Sequence, residues 1–350
     1  MKSIVVILIG ASVMGTPIAA GAQASVSTPG GVRRPSADSV RFAEAYARAR
    51  ALPRLRSLLV HWRGSLVQEH YFRGATRARA ANIKSASKTV IATLVGIAIQ
   101  RGEIRDVHQP IGELLPDVVV RDLDAARRAI TVEDLLTMRS GLQSTSFDNY
   151  GSWVSSRNWV RDVLRRPMVA ERGGPMIYST GSTHLLSAIL TRATRSSTHA
   201  YAQRVLARPL GIPLRAWTTD PQGIYFGGNE MRMTPREMIA FGQLFLNGGR
   251  APNGKEVVPK AWIDSSWVRR TRSGWSDQEY GYGWWIRRSG AHDVYFAWGY
   301  GGQFIFVVPT LDLVVVTTSD ASATTRERGH LEAIHDIFDS AIIPAVDAPR

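Results

Sequence analysis

The chain is 350 residues long, carries 43 Lys and Arg against 29 Asp and Glu for a formal net charge of +14, and contains no Cys. That length suits one large domain or two intimately joined ones, and the missing Cys exclude disulfides, a Cys-attached lipid anchor, thiolate catalysis and Cys-based metal sites. The basic residues stand singly or in pairs such as Arg127-Arg128 and Arg287-Arg288, with no dense run interleaved with aromatics, so the charge reads as a solvated surface and nucleic acid is not an expected partner.

Met1-Lys2, the apolar run Ile4 to Met14 and Ala22-Gln23-Ala24 fit a secretory signal peptide over residues 1–24, cleaved near Ala24. The run is too short and too broken for a membrane anchor, so stable membrane insertion is not expected and a periplasmic or secreted protein is. Residues 25–36, rich in Ser, Pro and Gly, read as a flexible leader. A helix is expected from Ser39 to Arg50, then a strand pair, Leu55–Val60 and Leu66–Phe72, around the turn Arg63-Gly64. From Ala86 to Gln100 the sequence is apolar on every side, which predicts a buried central helix ended by Gly102.

Thr131 caps a helix containing Leu135-Leu136 that Gly141 stops, and another helix is expected over Thr183–Thr194. Thr234-Pro235-Arg236-Glu237 combines a Thr cap, Pro at the first helical position and Glu three after the cap, and starts a helix through Phe241 and Leu244. After about residue 275, Tyr282–Arg287, Val294–Trp298, Phe304–Val308 and Leu313–Thr317 form a predicted antiparallel meander, closed by an amphipathic helix over Thr324–Ile342. Residues 37–350 are thus expected to form a single catalytic unit of the α/β (α+β) class. Its sheet part spans about 37–100 and 270–350, with a mostly helical lobe, about 101–269, inserted between them.

The chemistry concentrates at Ser85-Ala86-Ser87-Lys88. Only five of the 43 basic residues are Lys, so a Lys inside the most apolar helix stands out. A buried ammonium gives up its proton and a guanidinium does not, so Lys serves as a base where Arg cannot. Three residues apart on one helix, the hydroxyl and the amine share a face, as a nucleophile and its base require. The helix start offers backbone N–H groups and a partial positive charge to an oxyanion formed at Ser85. The plainer alternative, a capping Ser and a solvent-reaching Lys, conflicts with the apolar surround. Tyr178, in a loop after Gly and Pro, is the candidate proton relay to the leaving group.

Other sites carry less. No Gly-x-Ser-x-Gly elbow is present. Ser156-Arg157-Asn158 lies in a Ser-rich loop with poorer context than Tyr178. The eight His include no His-x-x-x-His pair, and His330 and His335 fall on what reads as a surface helix. No metal and no cofactor are expected. Trp262 to Trp275 and Trp284-Trp285 either line an apolar cleft or fill the core.

In order along the chain, Ser85-Ala86-Ser87-Lys88, the segment from Ile130 to Leu142, Tyr178-Ser179-Thr180-Gly181 and Trp298-Gly299-Tyr300-Gly301-Gly302-Gln303 resemble motifs of the serine β-lactamase and penicillin-recognising family. Together they span residues 82 to 318. Asp220-Pro221-Gln222-Gly223 and Gly227-Gly228-Asn229-Glu230-Met231 add a resemblance to its class C-like branch, the 6-aminohexanoate-dimer hydrolase and carboxylesterase group. The resemblance implies a β-lactamase/transpeptidase-like fold, with Ser85 as acylated nucleophile, Lys88 as general base and Tyr178 as catalytic Tyr. It also implies an oxyanion hole pairing the backbone N–H of Ser85 with that of Tyr300, or alternatively Gly301. Asn229, Trp298, Gly299 and Gly301 fall at substrate-binding positions.

Two departures qualify the pattern. Thr180 stands where Tyr-x-Asn has its Asn, and Ala297-Trp298-Gly299 lacks the strand cation that helps hold a substrate carboxylate. The expectation is therefore an exported serine hydrolase acting on a small-molecule ester or amide. D,D-peptidase or β-lactamase activity ranks lower, as does a weakly catalytic protein that binds envelope polymer. Nothing in the sequence sets the oligomeric state.

Overall fold

The computed structural model describes residues 40–119, 123–322 and 328–347. The expected signal peptide and leader lie outside them, as does the start of the predicted closing helix at Thr324. The strands are β1 (Leu55–Trp62), β2 (Ser65–Tyr71), β3 (Ala81–Asn82), β4 (Arg232–Met233), β5 (Thr271–Arg272), β6 (Glu279–Tyr280), β7 (Trp285–Ser289), β8 (His292–Gly299), β9 (Gln303–Val308) and β10 (Leu313–Ser319). The helices that position the site are α1 (Ala43–Ala51), α2 (Ser87–Gln100), α3 (Thr180–Ala193), α4 (Pro235–Leu246) and α5 (Arg328–Ile337).

One eight-stranded sheet runs in the order β2-β1-β10-β9-β8-β7-β6-β5, with every pairing antiparallel. β1 and β2 come from early in the chain, and β1 pairs with β10 from late in it, so the sheet joins the two ends of the described chain. Arg63 and Gly64 at the first hairpin have φ of 48° and 77°, the left-handed pair that a two-residue turn between twisted strands requires.

Alternation along the central strands sorts side chains to two buried faces. Phe304, Phe306, Val308, Leu313 and Val315 join Ala45 and Ala49 of α1 with Ile334 and Ile337 of α5. Ile305, Val307, Val314 and Val316 join α2 and α4 on the other face. The result is helix, sheet and helix in three layers. α2 is buried from Ser87 to Ala98, as its all-round apolar sequence requires. The capping box of α4 forms as expected, Glu237 N–H on Thr234 Oγ1 at 3.2 Å and Thr234 N–H on Glu237 Oε2 at 2.8 Å.

Three features differ from the sequence expectation. α3 begins at Thr180 rather than Thr183, because the Thr180 and Gly181 N–H groups find acceptors in Ser146 Oγ (2.9 Å) and Thr145 Oγ1 (2.8 Å), partners remote in sequence. β5 and β6, two residues each, extend the sheet edge and are too short to show a pattern. On the closing helix His330 and His335 are half-buried rather than freely exposed. His335 packs against Phe296, Phe304 and Phe306 with centroids 5.0 to 5.8 Å away, and burial pulls its pKa down to about 3. His330 Nε2 lies 3.0 Å from Ser319 Oγ. Among the described residues, no helix is long and apolar enough to cross a membrane.

Phe306 bridges sheet and closing helices, fully buried and stacked on Phe304 and Phe338 at 4.9 and 4.4 Å. Phe306→Ala is expected to cost about 3–5 kcal/mol of stability, read from the midpoint of urea unfolding.

Candidate active site

Ser85 sits in a single 3₁₀ turn, Lys84–Ala86, that runs directly into α2. Lys84 holds a left-handed φ of 52°, fixed by its N–H on Asn82 Oδ1 (2.9 Å), while the Ile83 N–H bonds to the Met231 carbonyl (2.9 Å). Ser87 Oγ donates back to the Lys84 carbonyl at 2.6 Å, so the turn carrying the hydroxyl is tied at both ends.

Lys88, one turn on, is 2% exposed. Its Nζ lies 3.1 Å from Ser85 Oγ, 3.2 Å from Thr180 Oγ1 and 2.8 Å from the Gly228 carbonyl. Three oxygens and no carboxylate surround the amine, and desolvation lowers its pKa from the usual lysine range to about 7. The hydroxyl standing at the family's Asn position thus reaches the lysine. Gly227 and Gly228 lie flush on α3: a Cβ at Gly227 would meet the Thr183 carbonyl oxygen at 2.1 Å, and one at Gly228 would meet Thr183 Oγ1 at 2.4 Å. Only glycine brings this carbonyl onto Lys88.

Tyr178 hydrogen-bonds to Ser85, and its ring centroid is 5.0 Å from Lys88 Nζ. Burial pushes the phenol up to about 12, with the Ser85 bond pulling the other way, so Tyr178 keeps its proton at neutral pH. The segment 144–146 braces it: Ser144 Oγ donates to the Tyr178 carbonyl (2.7 Å), Thr145 Oγ1 pairs with Ser179 Oγ (3.0 Å) and Ser146 Oγ with Thr180 Oγ1 (2.8 Å). Sequence reasoning missed these hydroxyls. Their signal was the run Ser144-Thr145-Ser146, one residue beyond the Gly141-Leu142 motif.

A cavity of about 240 Å³ opens over Ser85, walled by Phe147, Tyr178, Trp275, Trp285, Trp298, Tyr300 and Leu331. The Trp-rich segments therefore divide, since Trp275 and Trp285 line the cavity while Trp262 and Trp284 are core. Gly299 ends β8 beside the turn that carries Ser85; a Cβ there would meet the Ile83 carbonyl oxygen at 2.1 Å. Tyr300 stands at the rim, 53% exposed. Gly301, at φ 84°, faces Ala321 rather than the cavity. Asn229 is not in the cavity wall: its Nδ2 donates to Tyr150 Oη at 2.9 Å and its Oδ1 accepts from the Glu230 N–H.

Behind the Gly227-Gly228 loop lies a pair that sequence reasoning also missed, His184 and Asp220, both buried with their side chains 3.1 Å apart. Asp220 Oδ1 accepts the Gln222 and Ile224 N–H groups, fixing the loop that delivers Gly228. No cluster of His, Asp and Glu suited to a metal occurs among the described residues.

A Ser hydroxyl beside a buried Lys and Tyr, on an antiparallel sheet between helical layers, is an arrangement that fits the class of serine hydrolases built on the β-lactamase fold. The Beta-lactamase family profile matches residues 57–337, and the chain belongs to that family. It is similar to the 6-aminohexanoate-dimer hydrolase of Paenarthrobacter ureafaciens, 26% identical over 286 residues, 73% of this chain and 70% of that one. Two solved structures share the fold. The D-amino acid amidase of Ochrobactrum anthropi SV3 has a TM-score of 0.67 at 16% identity, over 89% of this chain and 97% of that one. A penicillin-binding protein homologue from Caulobacter crescentus has a TM-score of 0.68 at 14% identity, over 85% and 97%.

The depressed Lys88 pKa has a stability consequence. Between pH 7 and 10.5 the unfolded chain binds a proton at this lysine that the folded chain does not, so Lys88 makes stability rise with pH across that window. Below it, the full cost of burying the charge is present. Lys88→Met is expected to be more stable than the wild type at pH 7, with the gap narrowing towards pH 10 in urea melts.

Proposed function

We propose that the chain hydrolyses an ester or amide through a Ser85 acyl-enzyme. Ser85 Oγ attacks the carbonyl carbon while neutral Lys88 Nζ takes the hydroxyl proton across 3.1 Å. The carbonyl oxygen, now carrying the charge, accepts from the backbone N–H of Ser85 at the helix start and from that of Tyr300 after β8. The C–O or C–N bond then breaks as the phenol of Tyr178 protonates the leaving group and recovers a proton from Lys88. Water attacks the acyl carbon, giving up its proton along the same route, and the acid departs with Ser85 restored.

The observation that carries the reading is a buried lysine with no carboxylate partner, aimed at a serine hydroxyl. A protein that only bound polymer would gain nothing from a lysine that burial drives towards neutrality. Among the described residues, the cavity wall contains no Lys, Arg or His. An apolar or aromatic group fits there better than a carboxylate, which places esters and simple amides ahead of penicillins or a terminal D-Ala. The N-terminal run from Ile4 to Met14 supports the further proposal that the enzyme is exported.

Labelling with a fluorophosphonate, read by peptide mapping, is expected to mark Ser85 alone. With p-nitrophenyl butyrate, Ser85→Ala and Lys88→Arg are expected to abolish turnover, and Tyr178→Phe to lower kcat by about 10²–10⁴-fold. Label on another residue, or full turnover by Ser85→Ala, would refute the proposal.

A further inference from the structure

A second hollow, about 490 Å³, has the opposite chemistry to the aromatic one. Arg56, Arg73, Arg79, Lys84 and Arg232 line it, with Asp320 the one carboxylate in its wall among the described residues. Two of these cations are matched, Arg56 by Asp320 at 2.6 Å and Lys84 by Glu230 at 3.3 Å. The other three are not. Among the described residues, the Arg73 side chain donates only to the Arg50 carbonyl and that of Arg232 only to the Ala80 carbonyl, while the Arg79 guanidinium has no partner. Three unmatched guanidinium groups around one concavity repel each other, and an anion relieves that repulsion. Their planar forks suit the paired oxygens of a carboxylate or phosphate.

The position ties this hollow to the nucleophile. Lys84 lines it and Ser85 lines the aromatic cavity, and consecutive Cα atoms are about 3.8 Å apart. Across the same divide, Tyr300 belongs to the aromatic wall, and Gly301 packs on Ala321 of the basic wall. The turn between β8 and β9 is thus a partition, with an apolar chamber on one side and a cationic one on the other.

We infer that the basic hollow holds an anionic oxygen group, carboxylate or phosphate, borne by the same molecule whose scissile bond lies at Ser85. This rests on Ser85 being the nucleophile. It moves the anion-binding charge, absent from Ala297-Trp298-Gly299, to arginines beyond the turn.

The test compares p-nitrophenyl monoesters of succinic, glutaric, adipic and pimelic acids with neutral p-nitrophenyl esters of equal chain length. The wild type is expected to favour at least one acid monoester in kcat/KM. Arg79→Gln/Arg232→Gln, checked for a native unfolding midpoint, is expected to lower that preference about tenfold, mainly through KM, and added salt to weaken it in the wild type. A preference equal in wild type and double variant, or absent throughout the series, would overturn the inference. A second arm titrates glutarate and inorganic phosphate into Ser85→Ala by calorimetry, with and without the two arginine substitutions. Glutarate binding that the arginine substitutions remove supports the hollow as an anion site even where no ester turns over, an outcome that would instead count against Ser85 as nucleophile. Phosphate binding without any monoester preference would assign the hollow to a free anion and overturn the link to the substrate.

Discussion

Placing an amine in a dry pocket with no carboxylate to answer it is energetically costly, and much of this structure exists to hold Lys88 in that condition. The amine hydrogen-bonds to oxygens that accept without carrying charge, two hydroxyls and a carbonyl. Those oxygens keep it aligned, while desolvation keeps its pKa near neutrality. Replace any of them with a carboxylate and the lysine would become a permanently charged structural pair. The buried, mostly apolar α2 supplies the dry wall, the Gly227-Gly228 close approach supplies the carbonyl, and the hydroxyls of 144–146 fix the segment that brings Thr180 and Tyr178. Stability is given up locally to hold a lysine near neutrality, as expected of a site under functional constraint.

A second constraint is steric. Gly299 has no room for a side chain against the Ile83 carbonyl, so the end of β8 lies directly on the turn bearing Ser85. The sheet edge and the helix start can then face one carbonyl oxygen from two directions. That contact also separates aromatic rings around Ser85 from arginines around Lys84. The molecule keeps its low-dielectric chemistry, where the neutral amine survives, apart from its field of positive charge.

Much of this architecture was legible in the sequence, for identifiable reasons. α2 has an all-round apolar stretch that only a core helix can use, α4 has a complete capping box, and β7 to β10 are short β-rich runs separated by turns. The Ser85–Lys88 pair follows from helical geometry and from the rarity of Lys in this chain. What escaped depends on contacts remote in sequence. The early start of α3 needs acceptors from residues 145 and 146, and β5 and β6 exist only as an edge to β7. His335 reads as a surface residue until Phe296, Phe304 and Phe306 are seen to enclose it. Asn229 sits in the right motif, yet its amide is engaged by Tyr150, and its neighbour Gly228 touches the lysine instead. The basic hollow draws on four separate stretches of chain, which no local pattern reveals.

The central claim, that Lys88 is a neutral base at working pH, has a direct spectroscopic test because the chain holds only five lysines. With ¹³C-labelled lysine, the ε-carbon signals can be followed across pH, and Lys88→Arg identifies the one of interest. The account predicts that this signal alone titrates near pH 7, while the others titrate in the ordinary lysine range. If the Lys88 signal stays that of an ammonium up to pH 10, the amine is charged beside Ser85 and the account of the site is wrong.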